Sequence, residues 1–378
     1  MTHPTLEQAI GQLMVVGFEG YDAPDYILDA LRQGQLAGVI LFRRNVRDID
    51  QVVALNTALH QACAELPYAP FVCVDQEGGR VVRLRDPLTP VGTMRQLATA
   101  GPRVVSEVSE VVATELQSVG FNVNFAPVVD VDTNPNNPVI GDRAFGRDPD
   151  RVGRLGGAWV VGHTMAGVLP CAKHFPGHGD TDTDSHLTLP TLTHDRQRLQ
   201  AVELRPFRRL VQGKVPLIMT AHIVATAWDP VYPATLSPAI IQGILRDQMG
   251  YDGVVVSDCM EMKAVSEFAP IEQLVERSLR AGVDLFLISH TRQKWHDARA
   301  HLLKEASRDD ALRAHIMTAW QRVHGLKSSF FAHTQHPWQP GPHWRAQLGS
   351  QAHRQTVQKV DWDAPAPLHD PTEQDAPT

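Results

Sequence analysis

The sequence predicts an α/β protein, a (β/α)8 barrel of the TIM type with an irregular C-terminal extension. Three observations point there. Short, β-rich apolar runs alternate with longer amphipathic stretches as far as about residue 326. Eight such runs can be counted, enough to close a barrel. Polar side chains fall at the ends of the second to the eighth, where barrel active sites lie.

In chain order the runs are Met14–Phe18, Gly38–Phe42, Pro70–Val74, Phe121–Pro127, Val168–Ala172, Leu217–Thr220, Gly253–Ser257 and Val283–Ile288. The second ends at Arg43, Arg44 and Asn45, and the third at Asp75 through Arg80. The fourth leads to Asp130 and Asp132, the fifth to Lys173, the sixth to His222, the seventh to Asp258 and the eighth to His290. The intervening helices are marked by their ends. Ser237 followed by Pro238 is an N-cap with proline at the first helical position, and Gly250 closes that helix. Pro149 or Asp150 opens a helix through His163, one helix is expected between His194 and Gln212, and Pro270 starts another that ends at Gly282. A doubly wound sheet is the alternative fold, but no Gly-x-Gly-x-x-Gly opens the first βα turn.

The barrel is expected to occupy residues 1–327, and the extension 328–378. Prolines break the extension and its last fifteen residues are acidic and proline-rich. Residues 351–360 suit one short helix; the chain after Val360 is expected to bury little surface and to be partly disordered.

Composition narrows the class. Hydrophobic content of 43% and charged content of 20% describe a globular chain with ample core. A formal charge of -7 offers no basic footprint, so nucleic acid is not an expected partner. No apolar run reaches membrane-span length, and Glu7 interrupts the start where a signal peptide needs its apolar stretch. The expected setting is the cytoplasm, away from membranes. Cys63, Cys73, Cys171 and Cys259 show no framework spacing and read as reduced, buried thiols.

The chemistry concentrates after the fifth run, in Lys173-His174-Phe175-Pro176-Gly177-His178-Gly179-Asp180 and on to His186. Glycines and a proline forbid regular structure there, as in a loop at a barrel mouth. Three histidines (His174, His178, His186) and three aspartates (Asp180, Asp182, Asp184) would suit a metal. No helical His-Glu-x-x-His spacing is present, however, and we expect no metal and no other cofactor. Asp184 and His186, two apart, can pair so that the imidazole transfers protons near neutral pH. Asp258 ends a buried strand; it is either a nucleophile or cation stabiliser, or the N-cap of the next helix. Asp75, Arg80, Arg83, Arg143, Lys173, His174 and His222 stand at different strand ends, a set suited to a hydroxyl-rich ligand. Glu77 and Asp142 read as partners of the arginines.

Five segments together carry a resemblance: Val74–Arg83, Gly141–Gly146, Lys173–His186, Met219–His222 and Val256–Met262. They resemble the successive motifs of glycoside hydrolase family 3, and more narrowly its β-N-acetylhexosaminidase (NagZ-like) branch, from about Leu6 to about Gly325. The resemblance implies a TIM barrel that removes terminal β-linked N-acetylglucosamine with retention, from peptidoglycan fragments such as GlcNAc-1,6-anhydromuramyl peptides during cell-wall recycling. It implies Asp258 as nucleophile and His186 as acid/base assisted by Asp184. Asp75, Arg83, Arg143, Lys173 and His174 become the sugar-binding residues, joined by His222 from the strand-end set. A histidine on a Gly-rich loop can swing in when substrate binds, with Gly177 and Gly179 supplying backbone freedom.

Two departures accompany the resemblance. Many members carry a second α/β domain, whereas this chain resembles the single-domain form, and the proline-rich end has no counterpart. The expected partner is a small carbohydrate, a GlcNAc-containing muropeptide, bound by a monomer. A family 3 β-glucosidase, a phosphorolytic enzyme and a non-catalytic sugar-binding barrel are the competing readings.

Overall fold

The computed structural model describes residues 4–182 and 189–363. Eight parallel strands close into one barrel, the predicted (β/α)8 architecture. They are β1 (Met14–Val16), β2 (Gly38–Leu41), β3 (Phe71–Val74), β4 (Val123–Asn124), β5 (Leu169–Phe175), β6 (Leu217–Thr220), β7 (Val254–Cys259) and β8 (Leu285–Ile288). Each strand pairs with its sequence neighbours, and β1 closes on β8 with Val15 opposite Leu287. Strands covered on both faces must be apolar on both, hence uninterrupted runs such as Gly38–Leu41, every residue of it buried.

The helices begin where their caps require. Asp148 Oδ1 accepts the amides of Asp150 and Arg151 at 2.8 and 3.2 Å and starts Pro149–Met165. Ser237 Oγ accepts the Ile240 amide at 3.3 Å ahead of the helix Ala239–Gln248. Helix Ile271–Ala281 ends at Gly282, whose φ of 109° only glycine adopts readily.

Three expectations need correction. The fifth strand does not stop before Lys173; it runs through Phe175, so Lys173 and His174 lie in the strand and are buried. Partners beyond β3 and beyond β4 satisfy both side chains, which lets the apolar run continue across them. The single helix expected between His194 and Gln212 is two, Arg196–Ala201 and Leu204–Gln212. Buried Glu203 occupies the break, with Oε1 accepting from Arg198 Nη2 at 3.1 Å.

The third correction concerns the extension. Helix Asp310–Phe330 runs across residue 327, while the short helix expected within 351–360 is present at Gln351–Val357. Beyond Val360, Trp362 is half-buried rather than free of the barrel. Its carbonyl accepts from Gln96 Nε2 at 2.8 Å, and its ring lies where a Cβ on Gly92 would be 2.3 Å away. An aromatic ring has enough apolar area to dock a segment that composition alone would leave unattached.

Candidate active site

Lys173, on β5, is the centre of a buried charge network at the C-terminal end of the barrel. Its Nζ lies 3.0 Å from Asp75 Oδ1 and 2.7 Å from Glu77 Oε1, both just past β3. Arg83 Nη2 approaches the other Asp75 oxygen at 3.4 Å. Arg143 grips Glu77 with two nitrogens, Nε and Nη2, each at 2.8 Å. A two-point fork of this kind fixes the carboxylate plane as well as its position. Burial by itself would push the Glu77 carboxyl up, but Arg143 and Lys173 overcome it and hold the group well below the usual carboxylate range. Burial would likewise lower Lys173, yet Asp75 and Glu77 outweigh it and raise the ammonium above its ordinary value. Glu77 and Lys173 are therefore both charged at neutral pH, a fixed acceptor and donor.

A second network adjoins it. Asp130, beyond β4 and 1% exposed, accepts His174 Nδ1 at 2.7 Å and the His174 amide at 3.2 Å. It also accepts the His178 amide at 2.7 Å, while His178 Nδ1 meets Thr181 Oγ1 at 2.7 Å. One carboxylate thus fixes both the His174 ring and the start of the following loop. Burial would raise the Asp130 carboxyl, but the two imidazoles hold it below its ordinary value. Burial pushes His178 down to about 4, with His174 adding to the effect. His178 is a neutral structural ring at physiological pH.

The loop glycines divide in role. Gly177 has a φ of 129°, which a side chain would rarely adopt. Gly179 serves close packing instead, because a Cβ there would sit 1.9 Å from the Val131 carbonyl oxygen. Asp184 and His186 lie outside the described residues.

Asp258 stands near the end of β7, half-buried. Its Oδ1 accepts the Cys259 amide at 2.7 Å, and its charge is felt at both His178 and Cys171. The next helix, Lys263–Ser266, begins after Met262, so Asp258 is not its N-cap. His222 follows β6, its Nδ1 2.9 Å from Thr235 Oγ1 and its Nε2 donating to the Cys259 carbonyl at 3.0 Å. The imidazole therefore braces the residue beside Asp258. Arg80 turns outward, to Asp142 at 3.1 Å and the carbonyls of Val139 and Ile140.

Residues 5–326 match the model of the glycosyl hydrolase family 3 N-terminal domain. The chain belongs to glycosyl hydrolase family 3. It is 38% identical over 322 residues to beta-hexosaminidase A of Pseudoalteromonas piscicida, aligning over 75% of this chain and 53% of that protein. It is 36% identical over 329 residues to a beta-hexosaminidase of Alkalilimnicola ehrlichii, across 84% of this chain and 93% of the relative. The chain thus spans about half of the first relative and nearly all of the second. A family 3 β-N-acetylglucosaminidase from Paenibacillus sp. str. FPU-7 superposes with a TM-score of 0.86 at 37% identity, covering 94% of this chain and 68% of that one.

In this family 3 barrel the described candidates, Arg80 apart, sit at neighbouring strand ends. Asp75, Arg83, Arg143, Lys173 and His174 share two adjoining networks, and His222 and Asp258 both bond to the backbone of Cys259. Sequence reasoning passed over Asp130, although the signal was present: an acidic residue soon after a strand end, the criterion used for Asp258. Of the residues weighed for a metal, Asp180 has other possible co-ligands, His194 and Glu203, which the sequence reading did not name. Among the described residues Asp180 groups with His194 and Glu203, one donor atom from each within 4.8 Å of the others. That donor set would suit zinc. Arg198 Nη2 stands among them, 3.1 Å from Glu203 and 3.7 Å from Asp180, and already supplies a counter-charge. Among the described residues no helix is long and apolar enough to cross a membrane.

Proposed function

We propose that this family 3 hydrolase is a retaining exo-β-N-acetylglucosaminidase. Its substrates are terminal β-GlcNAc units, above all those of peptidoglycan fragments such as GlcNAc-1,6-anhydromuramyl peptides handled in the cytoplasm. The observation that carries the reading is Asp258. It is a half-buried carboxylate on a buried strand, released from helix capping and placed beside the rigid Lys173–Asp75 and His174–Asp130 networks. The hexosaminidase names of the relatives support the choice of sugar.

Asp75, Arg83, Arg143, Lys173, His174 and His222 form the sugar-binding wall in this proposal. Each hydroxyl meets a group whose position is already held by its own partners, so little reorganisation is needed on binding. Asp258 attacks the anomeric carbon, forming a glycosyl–carboxylate bond as the glycosidic C–O bond breaks. His186, oriented by Asp184, gives its proton to the leaving oxygen. In the second step His186 takes a proton from water, whose oxygen bonds the anomeric carbon and releases Asp258. Neither step needs a metal or organic cofactor.

Phosphorolysis is the nearest alternative, since a neutral imidazole, unlike a carboxylate, would not repel incoming phosphate. Turnover of an aryl β-GlcNAc in phosphate buffer, followed by proton NMR, separates the cases. The reading expects free GlcNAc, formed first as the β-anomer. A sugar phosphate as main product, or first appearance of the α-anomer, would replace it.

A further inference from the structure

The segment after β3 has two faces. Asp75, Glu77 and Arg83 face the charge network, while Gln76, Val82 and Leu84 line a separate cavity of about 610 Å³ on the outer side. The cavity also takes Val112 and Glu115 from helix Pro102–Ser118, and it is bounded by Arg354 and Trp362 of the C-terminal extension. Its volume falls within the few hundred to about 1,000 Å³ of small-molecule sites.

The lining specifies what fits. Leu84, Leu88, Val91 and Val112 form an apolar wall, and Trp362 adds an aromatic edge. Glu115 offers nothing to a ligand: its oxygens already accept Thr89 N at 2.7 Å, Thr89 Oγ1 at 2.6 Å, Gly349 N at 3.0 Å and His353 at 2.8 Å. Arg80 is committed to Asp142. Among the described residues, two exposed guanidiniums, Arg85 and Arg354, then line the cavity with a single unengaged acid, Asp86. Arg85 has no hydrogen-bond or ion-pair partner among the described residues, and Arg354 spends only Nε, on the Gly349 carbonyl at 2.8 Å. The surplus is cationic, beside a greasy and partly aromatic wall.

We propose that this cavity is a second ligand site, for a small amphipathic organic anion with a ring body and a carboxylate. Trp362 and the aliphatic wall take the body; Arg85 and Arg354 take the carboxylate. Gln76 links the site to the sugar wall. Its Oε1 accepts the amides of Arg83 and Leu84 at 2.9 and 3.1 Å, and its Nε2 donates to the Leu84 carbonyl at 2.7 Å. A ligand pressing on Gln76 and Leu84 therefore acts on the backbone that presents Arg83 and Asp75. Binding stands independently of the proposed function; the effect on sugar affinity rests on it.

The test uses 1-naphthoate as probe and isothermal titration of the full chain, with GlcNAc present or absent. Saturable one-to-one binding that survives GlcNAc is expected, weakened at least tenfold by Arg85→Glu and at least tenfold by Val112→Trp, which fills the cavity. KM for an aryl β-GlcNAc should shift two-fold or more with naphthoate while kcat stays within two-fold, and the shift should vanish in Val112→Trp. No saturable binding, displacement by GlcNAc, or equal binding in both variants would overturn the site. Binding with an unchanged KM would overturn the coupling alone. Circular dichroism and melting curves of each variant establish that it is folded, and Arg85→Glu, on an exposed side chain, keeps the test open if Val112→Trp is not.

Discussion

His174 and Asp130 are joined ring to carboxylate, Nδ1 to Oδ2 at 2.7 Å, and the same carboxylate receives the His178 backbone amide at 2.7 Å. This bond leaves Nε2 as the ring atom available to a ligand, and it ties the sugar wall to the start of the loop that leads to His186. Asp130→Asn keeps the shape but removes the charge. Since misplacing reacting groups by about 1 Å costs on the order of 100-fold, kcat/KM should fall roughly 10–100-fold with the fold intact. A variant with unaltered kcat/KM and pH profile would reduce Asp130 to packing.

Asp258→Ala should lower turnover of an aryl β-GlcNAc by several orders of magnitude, with an unchanged melting temperature. Added azide should restore rate by giving the opposite anomer of glycosyl azide, as expected when a carboxylate nucleophile is deleted. Near wild-type kcat would instead point to attack by the substrate's own acetamido group.

His186→Ala should harm substrates with poor leaving groups far more than activated aryl glycosides, because only the former need a proton at the departing oxygen. Asp184→Asn should give a milder version of that pattern. Equal losses on both substrate classes would make His186 a positioning residue.

Glu77→Gln strands Lys173 and Arg143 with one carboxylate fewer in a buried site. Removing one member of a buried ion pair costs about 3–5 kcal/mol, and denaturant unfolding should register a loss of that size. The wild-type pH dependence has a definite sign. Glu77 is held below its ordinary range, so its contribution is complete above the unfolded-state pKa of about 4.3 and is lost as pH falls toward the depressed folded value. Acid unfolding of the variant should lack that component.

Lys327 gives a slope of the same sign in a higher pH window. Burial lowers its pKa to about 7, although Nζ still donates to Gln12 Oε1 at 2.9 Å and the Ala37 carbonyl at 2.7 Å. Between pH 7 and about 10.4 the unfolded chain binds the proton and the folded chain does not, so stability rises with pH by up to about 1.4 kcal/mol per unit. Comparing wild type with Lys327→Met across that window should show the difference; parallel curves would contradict it.

The sequence was most informative where a pattern repeats and least where a single contact decides. Eight apolar runs and the polar residues behind them announced a parallel barrel and most of the strand-end candidates. Lys173 was misread as a strand end because only the fold reveals Asp75 and Glu77 as its partners across the mouth. Asp130 was passed over because its value lies in what it holds, His174 and His178, rather than in a motif of its own. Trp362 was discounted with its proline-rich surroundings, yet its indole lies against Gly92.

Specificity for GlcNAc is decided by kcat/KM for aryl β-GlcNAc and aryl β-glucoside, measured side by side. Buried groups left unpaired by an analogue that lacks the acetamido group should penalise it, in favourable cases by roughly 10⁴-fold. A preference for β-GlcNAc of at least two orders of magnitude is expected. Equal values, or a preference for the glucoside, would contradict it.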